Sequence, residues 1–172
     1  EQESKINITF NIDSDDLECD ADPGRIRQII HNLVRNSIEA IPEDIAGKIS
    51  VSVKKRDINN IKMIEICIED NGSGFDKNSL GQIFDPYVTS KSKGTGLGLA
   101  IVKKLVEEHM GFIEAENAKK QGAVIKIFMP ENEEMRERMI SSFKHKKDNG
   151  VHSFAIDITG NTKKHSYKSS CN

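Results

Sequence analysis

Asn32 and Asn36 stand four residues apart in PGRIRQIIHNLVRNSIEA, so on a helix they stack on successive turns and can reach one small object together. Asparagine is a poor helix former with no local reason to recur mid-helix. Its amide oxygen is, however, a suitable hard ligand for Mg²⁺, which prefers oxygen and keeps several of its waters. On the helix alone, the pair could equally be its solvated side.

Asp70 closes the run IEICIED. By strand parity it shares a face with Ile64, Ile66 and Ile68, so its carboxylate points toward the apolar side. A carboxylate placed there must be satisfied by donors, and the amino group of an adenine is one. The glycines that follow, Gly72 and Gly74, could instead mark an Asn-Gly hairpin turn. That alternative needs an alternating strand next, and FDKNS does not alternate.

A third group is the stretch KGTGLGLAIVKKL, where Gly94, Thr95, Gly96, Leu97 and Gly98 lead into an amphipathic helix, with Lys91 and Lys93 just before them. Unpaired N–H groups and the dipole at a helix start favour an anion, and missing side chains let phosphate oxygens approach. The stretch has no G-x-x-x-x-G-K-[ST], and its spacing fails the dinucleotide-binding G-x-G-x-x-[GA] pattern.

The elements that must position these groups follow from periodicity. Ile6–Ile12 alternates as a strand, and the acidic run from Asp13 to Asp16 follows it as a solvated turn. Asp22 and Pro23 signal the start of a helix whose apolar period runs through Ile26, Ile29, Leu33 and Ile41 to a stop at Pro42. On it, Arg25, Asn32, Asn36 and Glu39 share one edge of the apolar arc, while Ser37 and Ala40 are small residues that allow close packing. Two strands around Asp57–Asn60 read as a hairpin, as do Phe112–Glu116 and Ala123–Met129 about Gly122. Between Phe75 and Gly98 little is periodic beyond a short turn near Leu80, and that length points to a functional loop or lid. A charged helix is expected over Glu133–Phe143, followed by a tail carrying one apolar patch, Phe154–Ile158. These elements together imply an α+β sandwich, with helices on one face of a mixed sheet.

Composition narrows the function classes. At 172 residues, one core domain with an appendage is expected, here residues 1–130 and 131–172. With 30% charged residues and a formal net charge of -2, no global field attracts nucleic acid. No apolar run approaches the roughly 20 residues needed to cross a bilayer, so no membrane contact is expected of this piece, and a cytoplasmic setting is. The chain begins with Glu1 and is expected to be part of a longer protein, one whose other regions could reach a membrane. Its three cysteines lack any C-x-x-C pair, which argues for reduced thiols. None of its five histidines is expected to do chemistry.

The order and spacing of HNLVRNSIEA, DNGSGF, IFDPYVTSK and GTGLGLAIVKKLVEEH resemble the N, G1, F and G2 boxes of the ATP-binding catalytic domain of sensor histidine kinases, most of all the nitrogen-regulation type. The resemblance covers residues 1–130. It implies the Bergerat-type two-layer sandwich with a mostly antiparallel sheet and an ATP lid. It also implies Mg²⁺ on Asn36, with Asn32 assisting at the metal or phosphates. Adenine would be recognised by Asp70 in a pocket shaped by Gly72 and Gly74. Phe84 and Tyr87 would belong to the lid, Lys91 would approach the terminal phosphate, and Gly94 to Gly98 would form the phosphate loop.

Related ATPases of this fold carry a glutamate as general base where Asn32 stands. Asparagine cannot take a proton near neutral pH, so the resemblance implies a kinase that positions ATP without activating water. The implied partners are a separate dimerisation and phosphoacceptor domain, of the same or a sister chain, and a response-regulator receiver domain. Alternatives are a non-catalytic ATP-sensing module and a self-sufficient ATPase. Ser37, where alanine is common, is a small-for-small departure.

Overall fold

A computed structural model describes residues 6–13, 16–89 and 94–148, with the side chains of the last helix described as far as Ser142. Five strands form one sheet in the order β1-β2-β3-β5-β4. They are β1 (Ile6–Ile12), β2 (Gly47–Ile58), β3 (Ile61–Asp70), β4 (Phe112–Asn117) and β5 (Ala123–Pro130). Only β1 and β2 pair in parallel; the remaining pairs are antiparallel. The long helix α1 (Pro23–Ala40) joins β1 to β2, α2 (Gly98–Glu108) precedes β4, and α3 (Glu133–Asp148) follows β5. This is the mixed α+β architecture that the periodicities imply.

Local chemistry sets the boundaries. Asp22 caps α1, accepting the N–H of Arg25 at 2.9 Å, and Pro23 needs no hydrogen-bond partner at the first turn. That N–H, by favouring the charged form, holds the Asp22 carboxyl below its usual range. The cap is therefore intact at neutral pH and weakens as acid protonates Asp22 below its depressed value. The β2–β3 hairpin turns through Asn59 and Asn60, both at positive φ (54° and 63°), which matches the twist of the two strands. His109, at the end of α2, accepts the N–H of Asp22 at Nε2 (3.2 Å), while its Nδ1 meets the Leu105 carbonyl at 2.7 Å. Its role is structural: it ties the start of α1 to the end of α2.

The core lies between α1, α2 and one face of the sheet. Ile29 and Leu33 of α1 and Val102 and Val106 of α2 are at most 1% exposed, and they pack against Ile66, Ile68 and Ile127. The opposite face is covered at one end by α3, where Met139 closes over Met63 and Phe128, and Phe112 stacks on Phe128 at 4.5 Å between ring centres. Helix coverage thus extends to part of the second face. Arg136 of α3 also reaches the β1–α1 connection, bonding the carboxylate of Asp20 at 2.9 Å. On this polar face Glu65, 2% exposed, is satisfied by Arg56 (2.6 Å) and Lys54 (3.1 Å). Cys19 and Cys67 are unpaired and half-buried, and burial pushes both thiols up. Cys171 and the Phe154–Ile158 patch lie outside the described residues.

Leu33 is the test of this core. Leu33→Ala should destabilise the domain by about 2–5 kcal/mol, because both the methyl groups and their packing are lost; urea unfolding measures it.

Candidate nucleotide site

Asp70 is the last residue of β3 and, as parity requires, turns inward; it is 6% exposed. Its Oδ1 accepts two backbone N–H groups, from Gly72 at 2.9 Å and from Ala123 at 3.1 Å. No described residue donates to Oδ2. No side-chain oxygen or nitrogen among the described residues is both fully buried and unpartnered, so Oδ2 keeps some access to solvent. The result is a carboxylate fixed by one oxygen and offering the other to a donor.

The loop after Asp70 folds against α1 and the β4–β5 hairpin. The N–H of Ser73 bonds the Ala40 carbonyl at 2.9 Å, and a Cβ on Gly72 would stand 2.6 Å from that same oxygen. Gly74 is pressed against Asn117 Oδ1 and the Gly122 carbonyl, where a Cβ would come within 2.8 and 2.9 Å. Gly122 in turn lies against the backbone of Asp70, too close for any side chain.

Asn32, Asn36 and Ala40 occupy successive turns of α1, so this edge of the helix runs about 12 Å from the Asp70 loop to the second amide. Both asparagines are half-buried, and neither side chain has a hydrogen-bond partner among the described residues. The start of α2 faces them: a Cβ on Gly98 would lie 3.5 Å from Asn36 Nδ2 and 3.6 Å from its Oδ1. That is ordinary contact distance, so glycine there leaves about a methyl's room beside an unpartnered amide. The first-turn N–H groups of α2 have no carbonyl four residues back to accept them.

Gly96 has a further reason to be glycine. It adopts φ +67°, and a Cβ would come within 2.6 Å of Tyr87 Cα. The Tyr87 N–H bonds the Gly96 carbonyl at 3.0 Å, joining the lid segment to the glycine loop. Tyr87 is itself at φ +68° and is 78% exposed, whereas Phe84 is half-buried beside the buried Ile83. A single 3-10 turn, Leu80–Gln82, stands where the sequence places a short turn. Gly94 and Thr95 are exposed and Leu97 half-buried. Lys91 and Lys93 lie outside the described residues.

The structure therefore brings Asn32, Asn36, Gly98, Gly72 and Asp70 along one edge of α1. The sequence-based expectation omitted Ala123 and Gly122; the signal available for them was a glycine opening a strand, which reads only as a turn. Among the described residues no cluster of three or more His, Cys, Asp or Glu side chains could hold a metal ion. An amide oxygen fits a different arrangement, in which Mg²⁺ takes one or two protein oxygens and completes its shell with phosphates and water. A separate hollow of about 1000 Å³, lined by Leu17, Cys19, Ile30, Val34 and Ile38, lies along another edge of α1. It shares no residue with this arrangement.

Comparison with known proteins places this geometry in context. The profile of the "Histidine kinase-, DNA gyrase B-, and HSP90-like ATPase" family matches residues 21–133. A protein of Rickettsia felis described as an NtrY-like sensor histidine kinase is 40% identical over 117 residues, which is 68% of this chain and 18% of the relative. The sensor histidine kinase ZraS of Klebsiella oxytoca is 36% identical over 132 residues, 77% of this chain and 28% of the relative. The chain therefore spans under a third of the length of these relatives. The nucleotide-free catalytic domain of the histidine kinase ThkA superposes with a TM-score of 0.66 at 34% identity, covering 76% of this chain and 82% of that one.

The two glycines beside the lid and the amide should behave differently. Gly96→Ala should destabilise the domain by at least about 1–2 kcal/mol, from its left-handed backbone and the contact with Tyr87. Gly98→Ala should stay within about 0.5 kcal/mol of the parent. Urea unfolding of both variants reads the difference.

Proposed function

This chain belongs to the histidine kinase-, DNA gyrase B- and HSP90-like ATPase family, as an ATP-binding catalytic domain of sensor histidine kinase type, and from that premise we propose how its residues divide the work. ATP lies along the α1 edge, with its purine at Asp70 and its phosphates at Asn32, Asn36 and the start of α2. The γ-phosphoryl is presented to a histidine on a separate helical hairpin domain, from which it passes to a response-regulator receiver domain.

The observation that carries this reading is the open oxygen of Asp70. One oxygen is committed to two backbone donors, so the other has a fixed direction and can only accept. An exocyclic amino group on a purine meets that requirement. At the other end, Asn36 supplies an oxygen to Mg²⁺ and Asn32 supports the same end from the preceding turn. When bound, the metal supplies charge neutralisation across the phosphates.

The protein's own contribution to transfer is positioning. Neither amide can accept a proton from water at neutral pH, so the pocket holds the triphosphate without generating a nucleophile. The N–H groups opening α2 face the developing negative charge. Gly94, Thr95, Gly96 and Leu97 carry the backbone past the phosphates, while Phe84 and Tyr87 close the site. Lys91 adds a cation at the terminal phosphate. The attacking group must then come from the partner domain, which accounts for separating nucleotide and acceptor.

Two experiments test this. Asp70→Asn should weaken Mg-ATP binding by roughly tenfold or more, the scale of a hydrogen bond to a charged group. Asn36→Asp should alter the Mg²⁺ dependence of binding while the domain stays folded. Calorimetric titration with and without Mg²⁺ checks both, and unchanged affinity in each would show the pocket is misplaced. In the second experiment, labelled γ-phosphate should remain on ATP with this chain alone and move to a histidine once the hairpin domain is added. Rapid phosphate release by the chain alone would instead mark an ATPase.

A further inference from the structure

We propose that Asn71 and Asn117 are positioning residues for the purine end of the pocket, acting through the Asp70–Phe75 loop, whose flanks they fasten to the strands on either side. The inference rests on the nucleotide reading above and assigns neither side chain a contact with the ligand.

The two amides do the same job from opposite sides. Asn71 Oδ1 accepts the N–H of Lys48 at 2.7 Å, and its Nδ2 donates to the Ala46 carbonyl at 2.9 Å. Its own backbone N–H bonds the Lys48 carbonyl at 3.2 Å. The β2–β3 ladder ends with Ile49 opposite Asp70, so Asn71 carries it one residue further, with a side chain replacing strand backbone. On the other flank, Asn117 Oδ1 accepts the N–H of Phe75 at 2.6 Å, and its Nδ2 donates to the Phe75 carbonyl at 2.9 Å. A side-chain amide here pairs with both polar groups of one residue, as a neighbouring strand would.

These anchors bear directly on the carboxylate. Asp70 Oδ1 is held by the N–H groups of Gly72 and Ala123. Gly72 belongs to the fastened loop, and Ala123 is the cross-strand partner of Asn117. Both donors that orient Asp70 are therefore placed by the structure the asparagines fix. Asparagine and glutamine carry a donor and an acceptor side by side on one planar amide, and asparagine has the shorter reach. Aspartate keeps the acceptor and loses the donor; alanine keeps neither. A loosened loop leaves the open oxygen of Asp70 less well directed, and the loss falls on discrimination between purines more than on grip of the phosphates.

The test compares Mg-ATP with Mg-GTP by calorimetry on the full chain, since guanine presents a carbonyl where adenine presents its amino donor. Asn71→Ala and Asn117→Ala should each lower ATP affinity by roughly three- to tenfold, the scale of one or two hydrogen bonds. Each should also reduce the preference for ATP over GTP, which a purely structural role would not move. Asn117→Asp, nearly the same shape, keeps the measurement possible should an alanine variant not fold, and it is expected to lose preference in the same direction. Folded variants that retain both affinity and preference, while Asp70→Asn loses ATP affinity, would overturn the proposal and leave the nucleotide reading standing. An Asp70→Asn protein that binds ATP as well as the parent would overturn both.

Discussion

A carboxylate brought in from water must be met by donors, and the way Asp70 is met organises much of this domain. Its first oxygen takes N–H groups from its own loop and from the start of β5, the latter 53 positions away from it in sequence. The same few atoms therefore end β3, start β5 and create the open acceptor. Gly122 lies against Asp70 because nothing larger fits. The recognition group is thus built from the closing of the sheet, and disturbing one disturbs the other.

The second element is α1, along one edge of which the side chains of the proposed nucleotide site are spaced. Its inner face supplies Ile29 and Leu33 to the core, and its neighbouring edge presents Asn32, Asn36 and the carbonyl of Ala40 at one per turn. The burial that holds the helix down therefore also holds the amides in place. Chemistry at Asn32 matters as well as geometry, because an amide cannot act as a base there.

Much of this could be read before any coordinates. Period two predicted the strands, and parity alone turned Asp70 inward. The 3.6-residue period of α1 put both amides on one edge, and Asp22 with Pro23 marked its start. What could not be read was which strands pair across long separations. That Ala123 would meet Asp70, or Asn117 meet Phe75, depends on β5 inserting between β3 and β4, and no local pattern encodes that order. The glycines were legible as a cluster but not as to cause: Gly96 is required by its left-handed backbone and by Tyr87, whereas Gly98 has room for a methyl beside Asn36. The placement of α3 was equally hidden, since its anchor consists of Met135 and Met139 amid charged residues.

That helix bears on where the folding unit ends. The family profile stops at residue 133, yet Met139 is 2% exposed and seals Met63 and Phe128, while Arg136 grips the segment that leads into α1. A chain cut at Pro130 would wet two large apolar side chains and strip that segment of its ion pair. The packed unit is longer than the recognisable one, and a truncation drawn from sequence similarity alone would expose apolar surface while leaving every pocket residue present.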